Sequence, residues 1–261
     1  MLTLRIVGPG GVTERALAAP FVDVGRDEQC PVVLTGHGVS RRHLRLIPRG
    51  GIAFFRDLDS SLGVLLVRQG EARQVALGRL EPGDALRVGA FSLSVEGLGG
   101  HAPLLAEDRA RLEALRAGDE AREVFADWLE AAGRPQEAAY VRAELALHRC
   151  APGSPDLRAR LNALRALTRQ VPMAFRAGVS RPRVEGCEPV EARAGSACPT
   201  RWDALDLTDD VGVRRCPACM QDVFFCDTVD EAQELGACRQ RVAVEVSRPR
   251  RPGDVRSLPR R

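Results

Sequence analysis

Lysine is absent from this chain: all 38 basic residues among its 261 are arginine, set against 35 aspartates and glutamates. We read this as the coding bias of a GC-rich bacterial genome and attach no chemistry to it. Also absent is any apolar stretch of the length that a membrane-crossing helix needs. The first seven residues alternate Leu2, Leu4 and Ile6 with polar positions, which is the pattern of a strand. They lack the basic start and continuous apolar run of an export signal. The expected compartment is the cytoplasm, with no membrane partner. There the eight cysteines stay reduced, which favours metal binding over disulfides.

Signatures of catalysis are missing as well. The sequence offers no nucleophile paired with a base, no phosphate-cradling P-loop and no open metal site with His or carboxylate ligands. His37, His101 and His148 are scattered. A non-enzymatic protein is expected. A broad basic surface is missing too. The formal charge is +3, but residues 247–261 hold six arginines and one aspartate, so the other 246 residues carry −2 (3 − 5). That balance argues against a dedicated nucleic-acid binder.

What is present is ordinary globular material, 44% hydrophobic and 28% charged, long enough for two or three small domains. Residues 1–98 read as short strands broken by Gly, Pro and Asp turns, such as Gly8-Pro9-Gly10-Gly11 and Glu81-Pro82-Gly83-Asp84. No helical period appears there, so an all-β sandwich is expected. The glycine-rich stretch 99–103 reads as a linker. Residues 104–172 then carry helical periodicity: Val124, Phe125, Trp128 and Leu129 form one apolar face, and Pro135 suits the first turn of a following helix. A Trp on such a face is expected in the core. Residues 185–246 are rich in cysteine. Residues 247–261 alternate arginine with proline and are expected to be disordered.

The stretch 24–63 organises the N-terminal part. It holds Val24-Gly25-Arg26, then Val39-Ser40-Arg41-Arg42-His43, then Asp57-Leu58-Asp59-Ser60-Ser61-Leu62-Gly63, with two apolar, strand-like runs between the clusters. The clusters are therefore loops, and each supplies anion-binding groups: a guanidinium, hydroxyls and free backbone N–H groups. At these residues the sequence resembles the forkhead-associated (FHA) domain, a β-sandwich that binds phosphothreonine peptides. The resemblance implies phosphate contacts from Arg26, Ser40 and Ser61, with Arg41 flanking. Gly25, His43 and Gly63 would be structural. The family usually has Asn before the last Gly, where it bonds the peptide backbone; here that position is Leu62.

Residues 104–150 resemble the repeat-companion helical module of large bacterial proteins, which has no assigned chemistry. In the last segment Cys216-Pro217-Ala218-Cys219 is a knuckle whose two thiolates can reach one tetrahedral ion. With Cys198 and Cys226 it gives four candidate ligands, and Cys187 or Cys238 can replace Cys198 or Cys226. The segment resembles a ribbon-like cysteine module of bacterial signalling proteins. A stretch of about sixty residues barely stabilises itself without a staple, so a structural metal is expected, zinc ahead of iron–sulfur. The whole reads as a multidomain, non-catalytic adaptor: an FHA-like sandwich, a central all-α module and a metal-bound ribbon. Its partner would be a phosphothreonine protein downstream of a Ser/Thr kinase. The alternative is a nucleic-acid-binding or regulatory protein acting through the ribbon and basic tail.

Overall fold

A computed structural model describes residues 1–100, 106–151, 153–187 and 197–248. The chain divides into two compact units: Met1–Gly100 with Ala237–Arg239, and His101–Gly236 with Gln240–Arg261.

The first unit is the expected sandwich. Its strands are β1 (Leu2–Gly8), β2 (Gly11–Leu17), β3 (Val22–Gly25), β4 (Val32–Val33), β5 (Leu44–Arg49), β6 (Ile52–Asp57), β7 (Leu65–Arg68), β8 (Glu71–Gln74), β9 (Leu77–Leu80), β10 (Ala85–Val88) and β11 (Phe91–Leu98). They form a six-stranded sheet, β2-β1-β11-β10-β7-β8, and a five-stranded sheet, β4-β3-β5-β6-β9. Alternation decides which side of each strand is buried. Leu2, Leu4 and Ile6 of β1 meet Val22, Val24, Leu44, Leu46 and Phe55 of the other sheet in one core, while Arg5 and Val7 face outward. The pairings are antiparallel except β3 with β4, whose connection turns back on itself through residues 26–31. That reversal leaves a loop at the edge of the five-stranded sheet.

In the second unit five helices come first: α1 (Ala106–Ala114), α2 (Asp119–Ala131), α3 (Pro135–His148), α4 (Leu157–Thr168) and α5 (Met173–Val179). Pro135 occupies the first turn of α3, as its fixed φ favours. Leu115, Ala126, Leu129, Tyr140, Val141, Leu145 and Leu164 close the helical core. Strands β12 (Val184–Glu185), β13 (Asp206–Leu207), β14 (Val213–Arg215), β15 (Asp222–Cys226) and β16 (Arg241–Val244) make a sheet in the order β12-β16-β15-β14-β13. β15 and β16 run parallel, joined through α6 (Val229–Ala237).

The helical core and the core of the cysteine-bearing segment are two clusters that meet at α1 and α5: Leu112 packs against both, and α5 gives Val179 to the first. Ala177 of α5 lies in one cluster with Trp202, Leu205, Cys216, Val223, Phe225 and Ala243, and Leu112, Met173 and Ala174 pack against it. Arginines tie the two segments further. Arg122, 2% exposed, reaches the Val179 carbonyl and lies 3.5 Å from Asp203. Arg214 donates to the carbonyls of Trp202 (2.9 Å) and Gly178 (2.7 Å). Arg176 bridges Asp227 at 2.6 Å and Glu245 at 2.9 Å, and Glu245 accepts from Tyr140 Oη at 2.9 Å. Burying so many guanidiniums is tolerated because carbonyls and carboxylates meet them.

The start of the expected tail is part of this unit. Ser247 is buried, its carbonyl accepts from Arg165, and Arg248 donates to the Asp227 carbonyl. Residues 249–261, like 101–103 of the expected linker, lie outside the described residues. None of the described helices is long and apolar enough to cross a membrane.

Candidate functional site

Three loops of the sandwich are drawn together by backbone bonds. Arg26 N–H donates to Ser40 O (2.9 Å), Asp27 N–H to Arg41 O (3.1 Å), and Leu58 N–H to His43 O (2.9 Å). Gly25 permits the first two. A Cβ there would sit 2.0 Å from the Arg41 carbonyl oxygen, a backbone atom that cannot swing away. His43, fully buried, locks the other side. Its Nδ1 accepts from Ser40 N–H at 3.1 Å, which leaves the ring proton on Nε2, 3.1 Å from the Gly63 carbonyl. One imidazole thus fixes the distance between the Ser40 loop and the Ser61 loop. Gly63 makes the return with φ of +72°, the left-handed region that glycine enters without penalty.

The groups so placed are hydroxyls and free cations. Ser40 Oγ accepts from Ser61 N–H at 3.0 Å and lies 3.4 Å from Ser61 Oγ, so the two hydroxyls are adjacent on the exposed rim. Among the described residues neither Arg26 nor Arg41 has a carboxylate partner, and both are exposed. Their neighbours are occupied: Arg42 (2.8 Å) and Arg45 (2.6 Å) both hold Asp23. Burial pushes the Asp23 carboxyl up, but the Arg45 and Arg42 guanidiniums outweigh it and hold the group below its ordinary value. One carboxylate thus engages two arginines, while Arg26 and Arg41 are left without one. Leu62 is 60% exposed beside them, with its carbonyl 3.4 Å from Gln74 Nε2. Replacing Gly25 with Ala should displace the Ser40–Arg41 segment at a cost of about 1–3 kcal/mol of overpacking. Thermal melting of this unit, with NMR shifts at Ser40 and His43, checks it; unchanged shifts would contradict the close approach.

The second unit holds a second constellation. The Sγ atoms of Cys187, Cys198, Cys216 and Cys219 all lie within 4.8 Å of one another, with Cys187 and Cys219 at 3.9 Å. A tetrahedral zinc with Zn–S of about 2.3 Å sets its sulfurs roughly 3.8 Å apart, so the donor set and its spacing fit such an ion. The knuckle is built by a tight return: Met220 N–H donates to Cys216 O and Cys216 N–H to Gln221 O, both at 2.9 Å. Burial and the neighbouring Cys198 and Cys219 push the Cys187 thiol well up. Burial also raises Cys219, yet a bond from the Gln221 backbone and its thiol neighbours bring it below its usual value. Four sulfur donors so close together suit a cation that would balance the charge of their thiolate forms.

This corrects the ligand set expected from spacing. Cys198, Cys216 and Cys219 come together as anticipated, but the fourth member is Cys187 and not Cys226. On β15, Val223 and Phe225 face the core that holds the cluster, whereas Cys226 alternates to the other side with Phe224; its Sγ lies 3.6 Å from the Phe224 carbonyl. Cys238 is buried and outside the cluster. Trp128 also departs from expectation: 40% of it is exposed, whereas Trp202 is fully buried.

Comparison with known proteins decides the first unit. The FHA domain family model matches residues 22–89, the strands and loops just described. The N-terminal unit carries an FHA domain. Among solved structures, the FhaA FHA domain complexed with the intracellular domain of Rv3910 is 28% identical over 37% of this chain and 100% of its own, with a TM-score of 0.32. The FHA domain of the CT664 protein from Chlamydia trachomatis is 22% identical over 38% of this chain and 98% of its own, at a TM-score of 0.34. Mycobacterium tuberculosis EmbR in complex with a low affinity phosphopeptide is 25% identical over 38% of this chain and 26% of its own, at 0.32. Among curated proteins, none matches this sequence. The FHA domain is a binding module, and its match leaves residues 1–21 and 90–261 outside.

Proposed function

We propose that this protein is a non-catalytic adaptor whose FHA domain binds phosphothreonine on a partner that a Ser/Thr kinase has modified. The observation that carries the reading is the adjacent pair of hydroxyls, Ser40 and Ser61, with two exposed arginines that have no carboxylate partner among the described residues: Arg41, next in sequence to Ser40, and Arg26, whose backbone N–H bonds Ser40 O. A phosphate dianion takes charge-assisted bonds from guanidinium and shorter ones from hydroxyls. Arg26, Ser40 and Ser61 hold the phosphate and Arg41 flanks it, while Gly25, His43 and Gly63 keep the three loops in register.

Leu62 bears on the peptide, not on the phosphate. An apolar side chain gives the peptide backbone neither donor nor acceptor, so affinity rests on the phosphate and is modest. Leu62→Asn supplies both, each worth about 1 kcal/mol net. It should tighten phosphopeptide binding several-fold with the phosphate still required. Calorimetry checks this, and unchanged affinity would mean that the peptide takes another path across the loop.

In the second unit a structural metal, zinc by its all-thiolate donors, is held by Cys187, Cys198, Cys216 and Cys219. Four protein thiolates close a tetrahedral sphere and leave no position for substrate. The test of the adaptor reading is a phosphothreonine peptide-library screen, with salt-titrated DNA binding beside it. Selection of peptides that is lost on dephosphorylation supports it. Steeply salt-dependent DNA binding that survives deletion of residues 249–261 favours nucleic acid instead.

A further inference from the structure

Away from the FHA domain and the cysteines, α1 and α2 leave an apolar groove of about 570 Å³. Leu115 and Phe125 form its base, Ala114, Ala117 and Ala121 keep it open, and Val124 and Trp128 stand along one side. Those last two are a single turn apart on α2. Both are conspicuously uncovered, Val124 at 64% and Trp128 at 40% exposed. Apolar side chains left contiguous at a surface mark a contact site. The indole is already held in place: it stacks on Phe125 at 5.7 Å, and the Arg111 guanidinium lies 4.7 Å from its ring. An aromatic anchor with little rotamer freedom left to lose is what an interface hot spot needs.

Charge selects the occupant. Residues 106–131 hold eight carboxylates and four arginines, and four of the eight are met by arginines from elsewhere: Asp119 and Glu123 by Arg149, Asp127 and Glu130 by Arg142. Three of the stretch's own arginines are turned inward: Arg109 to the carbonyls of Leu207 and Thr208, Arg116 to Leu205, and Arg122 to Val179. Only Arg111 lines the groove, and Glu107 and Asp108 meet its charge at 3.4 and 3.3 Å. Glu113 and Glu120 have no ion-pair partner among the described residues. The apolar groove thus has an acidic rim at Glu120, which lines it, with Glu107 and Asp108 together outnumbering the one Arg111 they meet. A symmetric second copy would set one such rim against another, which like charges oppose. We infer that this groove docks a basic amphipathic helix of a partner protein, its apolar residues one turn apart seated on Val124 and Trp128 and its arginines or lysines over the acidic rim.

The probe is a synthetic helical peptide with leucine on one face and arginine on the other, compared with its counterpart carrying glutamate for arginine. Trp202 is fully buried and stays silent, so a blue shift of emission reports Trp128. Binding of the arginine peptide alone, weakened about tenfold or more by Val124→Arg and falling with salt, is the expected result. Val124 is exposed, so this substitution spares folding, and Trp128→Ala followed by calorimetry repeats the test. Equal binding of both peptides, or binding indifferent to both substitutions, overturns the inference. So does self-association abolished by Val124→Arg, which assigns the groove to a second copy. A gain in peptide affinity on deleting residues 249–261 would assign it to the chain's own arginine-rich end.

Discussion

Arg26→Ala should lower affinity for a phosphothreonine peptide by about tenfold or more. Each charge-assisted hydrogen bond to phosphate is worth roughly 1.5–3 kcal/mol, and about 1.4 kcal/mol is one decade. The substitution should leave the melting temperature of the FHA domain unchanged, because the Arg26 side chain is exposed and its structural bond, N–H to Ser40 O, belongs to the backbone. Arg42→Ala is the matched control. It removes another exposed cation, from the neighbouring Ser40–His43 loop, but one that already holds Asp23. Its effect on peptide affinity should be within about twofold, the scale of an exposed charge acting at a distance. Equal losses from both would reduce the site to a diffuse basic patch.

Stripping the proposed metal should unfold the whole second unit and not the cysteine segment alone. Metal binding contributes folding energy on the order of 10 kcal/mol in small thiolate sites, comparable to the total stability of a domain. The cluster cysteines pack on the core that contains Ala177 and Trp202, and Trp202 Nε1 donates to the Ala177 carbonyl at 2.7 Å. Arg122 and Arg214 join the helices to the same segment. Loss of the ribbon would strand buried guanidiniums, so the helices cannot persist unchanged. Chelation, or Cys216→Ser, should therefore abolish much of the helical circular dichroism while phosphopeptide binding by the FHA domain survives. Helical signal that persists after complete metal removal would contradict this coupling, and protein purified without chelator that holds about no zinc or iron would contradict the metal itself.

Local motifs made the first unit readable, and long-range packing hid part of the second. Gly25-Arg26, Ser40 to His43 and Ser61 to Gly63 are short clusters whose backbone needs are local, so the loops could be placed from sequence. Which arginines stay free could not: that depends on Asp23, nineteen residues from Arg42 and on β3. The knuckle Cys216–Cys219 was legible because a tight turn specifies it. Cys226 misled because sequence spacing does not say on which face of β15 a side chain falls, and Val223 and Phe225 took the face toward the cluster. Cys187 follows the two-residue strand β12, whose pairing with β16 spans more than fifty residues and leaves no local trace. The joining of the two cores through α5 was equally invisible. Nothing in the sequence marks Arg122, Arg176 and Arg214 as buried, since burial of an arginine shows only when its carbonyl and carboxylate partners are known.

The most direct measurement is isothermal titration of one library-selected peptide in its phosphothreonine and unphosphorylated forms against the full chain, repeated with Arg26→Ala. Saturable one-to-one binding of the phosphorylated form alone, weakened about tenfold or more by the substitution, is the predicted result. Binding that ignores the phosphate, or that Arg26→Ala leaves intact, would contradict phosphothreonine recognition at the Arg26–Ser40–Ser61 rim.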